Sequence, residues 1–274
     1  MAYYRFISSA AGPAGIYLID ADGENNQLLL ASQGWTRDLR FSPDGTHLSM
    51  TGGGEVFLFD MKTKQLRQLT TTAGNAQMAD WSPNSTSVVI SGVFTRYAGD
   101  GGLHVIDVPT GTARGLNQGH ERVYGENPRW SPQGEPIVFG QRDNSAHGDI
   151  CSIRSDGTDL RRLTDSAGDG WNFEDPRWVF GGTHILCRAA RNGRGGARRE
   201  SRIMRADGGD QRRWPVLVTY YDAISPDSRH VVFAAEQADT SQVDGLPVWV
   251  LFVRDLDDAG GSSIRQLTTY QAAP

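Results

Sequence analysis

Short apolar runs punctuated by polar turns cover this chain from end to end. Leu48-Ser49-Met50, Val88-Val89-Ile90, Ile137-Val138-Phe139, Ile185-Leu186-Cys187 and Val231-Val232-Phe233 read as strands. Each follows a turn phrase: Phe41-Ser42-Pro43-Asp44-Gly45, Trp81-Ser82-Pro83-Asn84, Trp130-Ser131-Pro132-Gln133-Gly134, the worn copy Trp178-Val179-Phe180-Gly181-Gly182, and Ile224-Ser225-Pro226-Asp227. From Ser42 to Ser82, Ser131, Val179 and Ser225 the steps are 40, 49, 48 and 46 residues. A period of this length marks units that bury their faces only by stacking, and about 40–50 residues is the class of propeller blades.

Two further phrases keep the same phase. An apolar strand ends in a polar turn at Ile16 to Gly23, Val56 to Asp60, Leu103 to Asp107, Ile150 to Gly157, Arg202 to Gly208 and Leu251 to Asp255. A short strand follows, as in Leu66-Arg67-Gln68-Leu69-Thr70, Leu160-Arg161-Arg162-Leu163-Thr164 and Ile264-Arg265-Gln266-Leu267-Thr268. One unit therefore predicts strand, Ser-Pro-Asp-Gly turn, strand, loop, strand, Asp-Gly turn, strand. The expectation is an all-β, six-bladed β-propeller of four-stranded antiparallel blades in one domain over residues 1–274. The blades fall at about 1–31 plus 270–274, 32–71, 72–118, 119–165, 166–215 and 216–269. The first blade enters on Tyr4-Arg5-Phe6-Ile7, its second strand. The tail Tyr270-Gln271-Ala272-Ala273-Pro274 is expected to supply the missing inner strand and close the ring.

Trp-Ser-Pro-Asp-Gly, Ile-Tyr-Leu-Ile-Asp-Ala-Asp-Gly and Leu-Arg-Arg-Leu-Thr together resemble the repeat of TolB-like propellers, from about Tyr4 to Pro274. The resemblance implies a six-bladed fold and a non-catalytic binding role. The small amino-terminal domain of TolB has no counterpart in these residues. Related repeats build the propeller of prolyl-oligopeptidase-like enzymes, but no Gly-x-Ser-x-Gly elbow occurs to imply that activity.

Composition agrees with this picture: 33 glycines and 12 prolines supply turns, and 38% hydrophobic content suits strands with two unlike faces. No run reaches transmembrane length, so the chain is expected to be soluble, without membrane insertion. If Met1 is the native start the protein is expected in the cytoplasm; a removed leader would make it periplasmic or secreted. Cys151 and Cys187 occupy apolar strand positions, which suits buried thiols, with a disulfide left open. Charge is uneven. Arg154 to Arg213 holds thirteen arginines and nine acids, a net of +4, while the remainder of the chain nets −9. Its densest stretch, Arg188 to Arg199, reads as a loop suited to an anionic partner. The overall charge of −5 weighs against nucleic acid.

Both tight turns of a blade lie on one face, so the long, unlike loops and the inter-blade connections share the other. Variable loops on a rigid scaffold are where binding concentrates. The candidate ligand-binding residues in a central funnel are Trp35, Asp38, Tyr124, Glu126, Trp171, Glu174, Asp175, Arg177, Tyr221 and Asp222. Aromatic faces with carboxylates suit a protein, a peptide or a glycan, the last making carbohydrate binding an expectation. An alternative for the aromatics is to wedge between blades, and for the acids to pair with arginines. A second function is also open: a lyase, isomerase or hydrolase acting on a sugar or secondary metabolite in the same funnel. His120 or His147 would then be the acid–base group, with Glu126 beside them. No metal-ligand motif is present, so no cofactor is expected beyond a divalent cation in the acidic funnel.

Overall fold

A computed structural model describes residues 1–5, 14–31, 36–70, 76–93, 101–116, 125–142, 148–193, 196–214, 223–225, 227–236, 249–256 and 262–267. Its sheets are antiparallel and follow chain order. The first has three strands: β1 (Ala2–Arg5), β2 (Gly15–Leu18) and β3 (Gln27–Ala31). Five four-stranded sheets follow. They are β4 (Thr36–Phe41), β5 (His47–Gly52), β6 (Glu55–Asp60) and β7 (Leu66–Gln68); then β8 (Met78–Trp81), β9 (Ser87–Val93), β10 (Gly101–Asp107) and β11 (Ala113–Gly115). The next are β12 (Gly125–Trp130), β13 (Ile137–Arg142), β14 (Gly148–Ile153) and β15 (Arg161–Arg162). After a single helical turn, α1 (Ser166–Asp169), come β16 (Asn172–Val179), β17 (His184–Gly193), β18 (Gly196–Arg205) and β19 (Arg212–Trp214). The last are β20 (Ala223–Ile224), β21 (His230–Glu236), β22 (Trp249–Asp255) and β23 (Arg265–Gln266). This is an all-β, six-bladed propeller with almost no helix. The tail expected to close the ring lies outside the described residues. So do the connections holding Trp35, Tyr124, Tyr221 and Asp222.

The turn phrase builds itself from its own hydrogen bonds. Ser42 Oγ donates to Asp44 Oδ1 at 2.6 Å and accepts from the His47 amide at 2.9 Å. Asp44 Oδ1 also accepts from the Thr46 amide at 3.0 Å. Ser82 with Asn84 and Ser87 repeats the arrangement, as does Ser225 with Asp227 and His230. Within a blade the two tight turns meet: the Met61 amide donates to Thr46 O, Val108 to Thr86 O and Ala206 to Thr183 O. The turns therefore share one end of these sheets, as their spacing predicts.

The Leu-Thr pair closes the outer edge. Thr70 Oγ1 accepts from the Val56 amide at 2.9 Å and donates to Glu55. Thr164 does the same for Ile150 and Asp149. The leucines Leu69, Leu116, Leu163 and Leu267 are buried beneath them.

The chain divides into two compact units, Thr36–Leu217 and Met1–Trp35 with Val218–Pro274. Within the larger unit each pair of successive blades encloses an apolar seam. Trp81 joins Val56, Leu58 and Ile106; Trp130 joins Leu103, Ile137 and Phe139. Trp171 and Phe173 join Val138, Ile150 and Ile185, with Trp178 packed against them. Outer-strand arginines bind the next blade: Arg67 Nη2 donates to Val108 O at 2.9 Å and Arg114 Nη2 to Ser155 O at 2.6 Å. In the smaller unit Arg265 of the last blade makes the same reach to Ala21 O and Asp22 O of the first, at 2.7 and 2.8 Å. A Cβ at Gly23, where φ is +94°, would lie 2.8 Å from Leu267 O. Gly157 and Gly208 stand against Leu116 O and Leu163 O in the same way, at 3.0 and 2.9 Å. First and last blades thus pack through the contact that joins successive blades elsewhere.

Candidate functional site

Four inner strands of the larger unit carry the charged residues that the sequence places near the axis. In β4, β12 and β16 the pairing with the second strand shifts register between Arg37 and Arg40, Glu126 and Arg129, and Glu174 and Arg177. The bulge residue is left-handed each time: Asp38 (φ 51°), Asn127 (φ 51°) and Asp175 (φ 54°). Asp and Asn are the side chains that accept this conformation most readily, which explains their presence there without reference to a ligand.

The bulges aim these side chains at one another. Asp38 Oδ1 pairs with Arg40 Nη2 at 3.1 Å, and its Oδ2 accepts the Ala79 amide of the next inner strand at 2.5 Å. Asp80 Oδ2 in turn accepts the Trp130 amide at 2.8 Å. Asp175 pairs with Arg177 at 2.9 Å, both buried. The tryptophans add a second staple: Trp81 Nε1 donates to Ser49 Oγ at 3.0 Å and Trp178 Nε1 to Arg129 O at 3.1 Å. Of the residues expected to bind ligand, Asp38, Asp175 and Arg177 come together here. Arg40, Asp80 and Arg129 belong to the same network but were not among them. Their signal is the charged position two residues before each Ser or its equivalent in the turn phrase.

Electrostatics follow from burial. Burial works against the Arg40 charge, but Asp38, Asp80 and Asp175 outweigh it and its pKa is raised. Burial pushes the Asp80 carboxyl up, against the pull of Arg129 and Arg40. Arg129 is lowered, first by burial and then by the neighbouring Arg40 charge.

Glu126 and Glu174 immediately precede the bulge residues Asn127 and Asp175 on β12 and β16. Glu126 is exposed; Glu174 is half-buried and pairs with Arg188 at 3.3 Å. Gly140 lies between their backbones, its Cβ position 3.6 Å from Glu126 O and 3.9 Å from Glu174 Cα. The backbones of two equivalent glutamates on adjacent inner strands therefore flank one glycine.

Trp171 is 6% exposed within the seam between the fourth and fifth blades. The Arg202 guanidinium lies 4.6 Å from its ring centroid and that of Arg198 5.8 Å. Such stacking suits arginine's planar cation. Buried Glu200 binds Arg202 at 2.9 Å and Arg198 at 3.5 Å. The Arg188 to Arg199 stretch is thus not the loop its composition suggests. It continues as paired strands to Gly193 and from Gly196. One face of it packs on Trp171 and Phe173, which gives an arginine-rich sequence a reason to stay extended.

A TolB β-propeller domain model matches residues 5–257. The chain belongs to the TolB β-propeller family. TolB from Acinetobacter baumannii superimposes with a TM-score of 0.68 at 16% identity, over 90% of this chain and 58% of that one. This propeller therefore spans less than two thirds of that TolB. A TolB-type protein from Agrobacterium tumefaciens gives 0.66 at 19% identity, over 89% and 84%. An oligogalacturonate lyase in complex with manganese gives 0.63 at 17% identity, over 90% and 69%. At these identities the likeness establishes the fold alone.

Among the described residues no group of three His, Cys, Asp or Glu side chains is placed to hold a metal ion. The inner-strand aspartates do not fit a cation, since guanidinium groups stand beside them and backbone amides use their oxygens. His120 and His147 lie outside the described residues. Cys151 and Cys187 are free, buried in different seams, and burial pushes both thiols up to about 12. No helix among the described residues is long and apolar enough to cross a membrane.

Proposed function

We propose that this TolB-family propeller is a non-catalytic binding module for a protein, peptide or glycan, received on the face that carries the inter-blade connections. The observation that supports this reading is that Gly140 stands against the backbones of both Glu126 and Glu174, one from each of two neighbouring inner strands. Glutamates on neighbouring strands offer carboxylate acceptors to the ammonium, guanidinium or hydroxyl donors of a ligand. Asp38 on β4 and Asp175 and Arg177 on β16 have little exposed side chain, and Trp171 is buried in the seam between the fourth and fifth blades. Trp35, Tyr124, Tyr221 and Asp222, expected from the sequence to contribute, lie outside the described residues.

The test is to probe peptide and oligosaccharide arrays with the full chain, then titrate the strongest binder against the Glu126→Gln/Glu174→Gln variant. Affinity should fall about tenfold or more while thermal stability is kept. Equal affinity in the variant would remove the site assignment. Incubation with oligogalacturonate and manganese, the substrate class and metal named for the lyase of like fold, separates the enzymatic alternative: unsaturated product would replace the binding role with catalysis.

A further inference from the structure

The three bulged inner strands repeat a charged pair with one break in it. In β4 the pair is Asp38 and Arg40, and in β16 it is Asp175 and Arg177, each salt-bridged across the bulge. In β12 the same positions hold Asn127 and Arg129. Asn127 keeps the left-handed bulge at φ 51°, so the backbone requirement is met while the carboxylate is missing. Arg129 is 7% exposed. Its one side-chain hydrogen bond among the described residues goes from Nη1 to Pro128 O at 3.0 Å, and its Nε has no partner there.

Asp80 balances the Arg129 charge across the strands without meeting its donors. No described carboxylate lies within 4.0 Å of the guanidinium, and Asp80 Oδ2 takes the Trp130 amide instead. A guanidinium offers five N–H donors in a planar fork, and a carboxylate matches that fork with two oxygens. A dianion such as phosphate would meet the aspartates of the flanking strands, and a cation would meet three arginines. A singly charged planar anion fits both limits.

We propose that Arg129 is a carboxylate-recognition group, receiving from a ligand the carboxylate that its own strand lacks at Asn127. This inference stands apart from the Glu126 and Glu174 reading, and its test does not require those residues to bind anything.

Thermal unfolding of the full chain is measured against sodium acetate at constant ionic strength, with chloride and sulfate as controls. A saturable rise in Tm with acetate, absent for the controls, is expected. Asn127→Asp should place the carboxylate intramolecularly, raise Tm without ligand, and weaken the acetate response about tenfold or more. Arg129→Gln should also lose the response, and serves if the first variant does not fold. A peptide with a free carboxyl terminus compared with its amidated form distinguishes a peptide source from a small acid. An equal response to all three anions, no response, or an acetate response unchanged in either folded variant would overturn the proposal.

Discussion

Aspartate serves both the turn end of each blade and the inner strands, and the two regions use it in opposite ways. In the turn, Asp44 is exposed, and bonds from Ser42 and Thr46 hold its carboxyl down at about 2. Every hydrogen bond to its carboxylate comes from within two residues, so this part of the motif can be copied blade after blade. On the inner strands, Asp38 and Asp80 reach residues 41 and 50 positions away, and burial raises the Asp80 carboxyl instead. Such bonds depend on the neighbouring blade and on each strand's own partners. The local motif repeats faithfully, whereas the long-range network varies from strand to strand. That variation is where specific recognition can arise.

The contrast is broken most directly by deleting one aspartate of each kind. Asp38→Ala leaves the Arg40 guanidinium and the Ala79 amide without their carboxylate, which should cost about 3 kcal/mol. Asp44→Ala removes a local turn bond at the surface, at about 1 kcal/mol. Urea unfolding at neutral pH measures both. An Asp38 variant no less stable than the Asp44 variant would mean that the inner network contributes little to holding blades together.

A second measurement sharpens the electrostatic difference. Because the folded-state carboxyl of Asp80 is raised, the folded protein holds that proton at pH values where the unfolded chain has released it. Its contribution to stability is therefore fully present below the unfolded pKa and declines as pH rises through the folded one. Asp80→Asn should remove that decline, so the wild-type and variant stability curves separate as pH rises from acid to neutral. Parallel curves over that range would show that Asp80 stays charged throughout.

How much of this the chain declares beforehand follows the same division. Ser42, Asp44 and Gly45 are legible because their bonds close within a few residues, and the six-bladed fold follows from their period. Asp38 and Asp175 are visible as acids near the axis, but their bulge conformation and their partners emerge only when neighbouring strands are set side by side. Trp171 has the composition of a ligand platform; its burial depends on Val138 and Ile150 of the preceding blade. The Arg188 to Arg199 stretch hides its strands because polar residues occupy both faces, so apolar alternation gives no signal. Asn127 is the most informative residue of all, and it is legible only against its counterparts Asp38 and Asp175.

The smallest expected effect belongs to the turn. The Asp44 carboxyl sits at about 2 in the folded chain, below its ordinary value of 3.8. A lowered folded pKa stabilises fully above the unfolded value, and that contribution is lost as pH falls through about 2. The sign is opposite to that of Asp80. Asp44 is exposed, so solvent screening keeps its contribution under about 1 kcal/mol. Asp44→Asn retains the oxygen that accepts from Ser42 and Thr46, as Asn84 does in the next blade, but cannot titrate. Acid unfolding between about pH 4 and 2 should therefore be slightly shallower in the variant, with stability near neutral pH almost unchanged. A variant that loses as much stability at neutral pH as Asp38→Ala would show that the turn relies on charge rather than on its local hydrogen bonds, and the distinction between the two regions would fail.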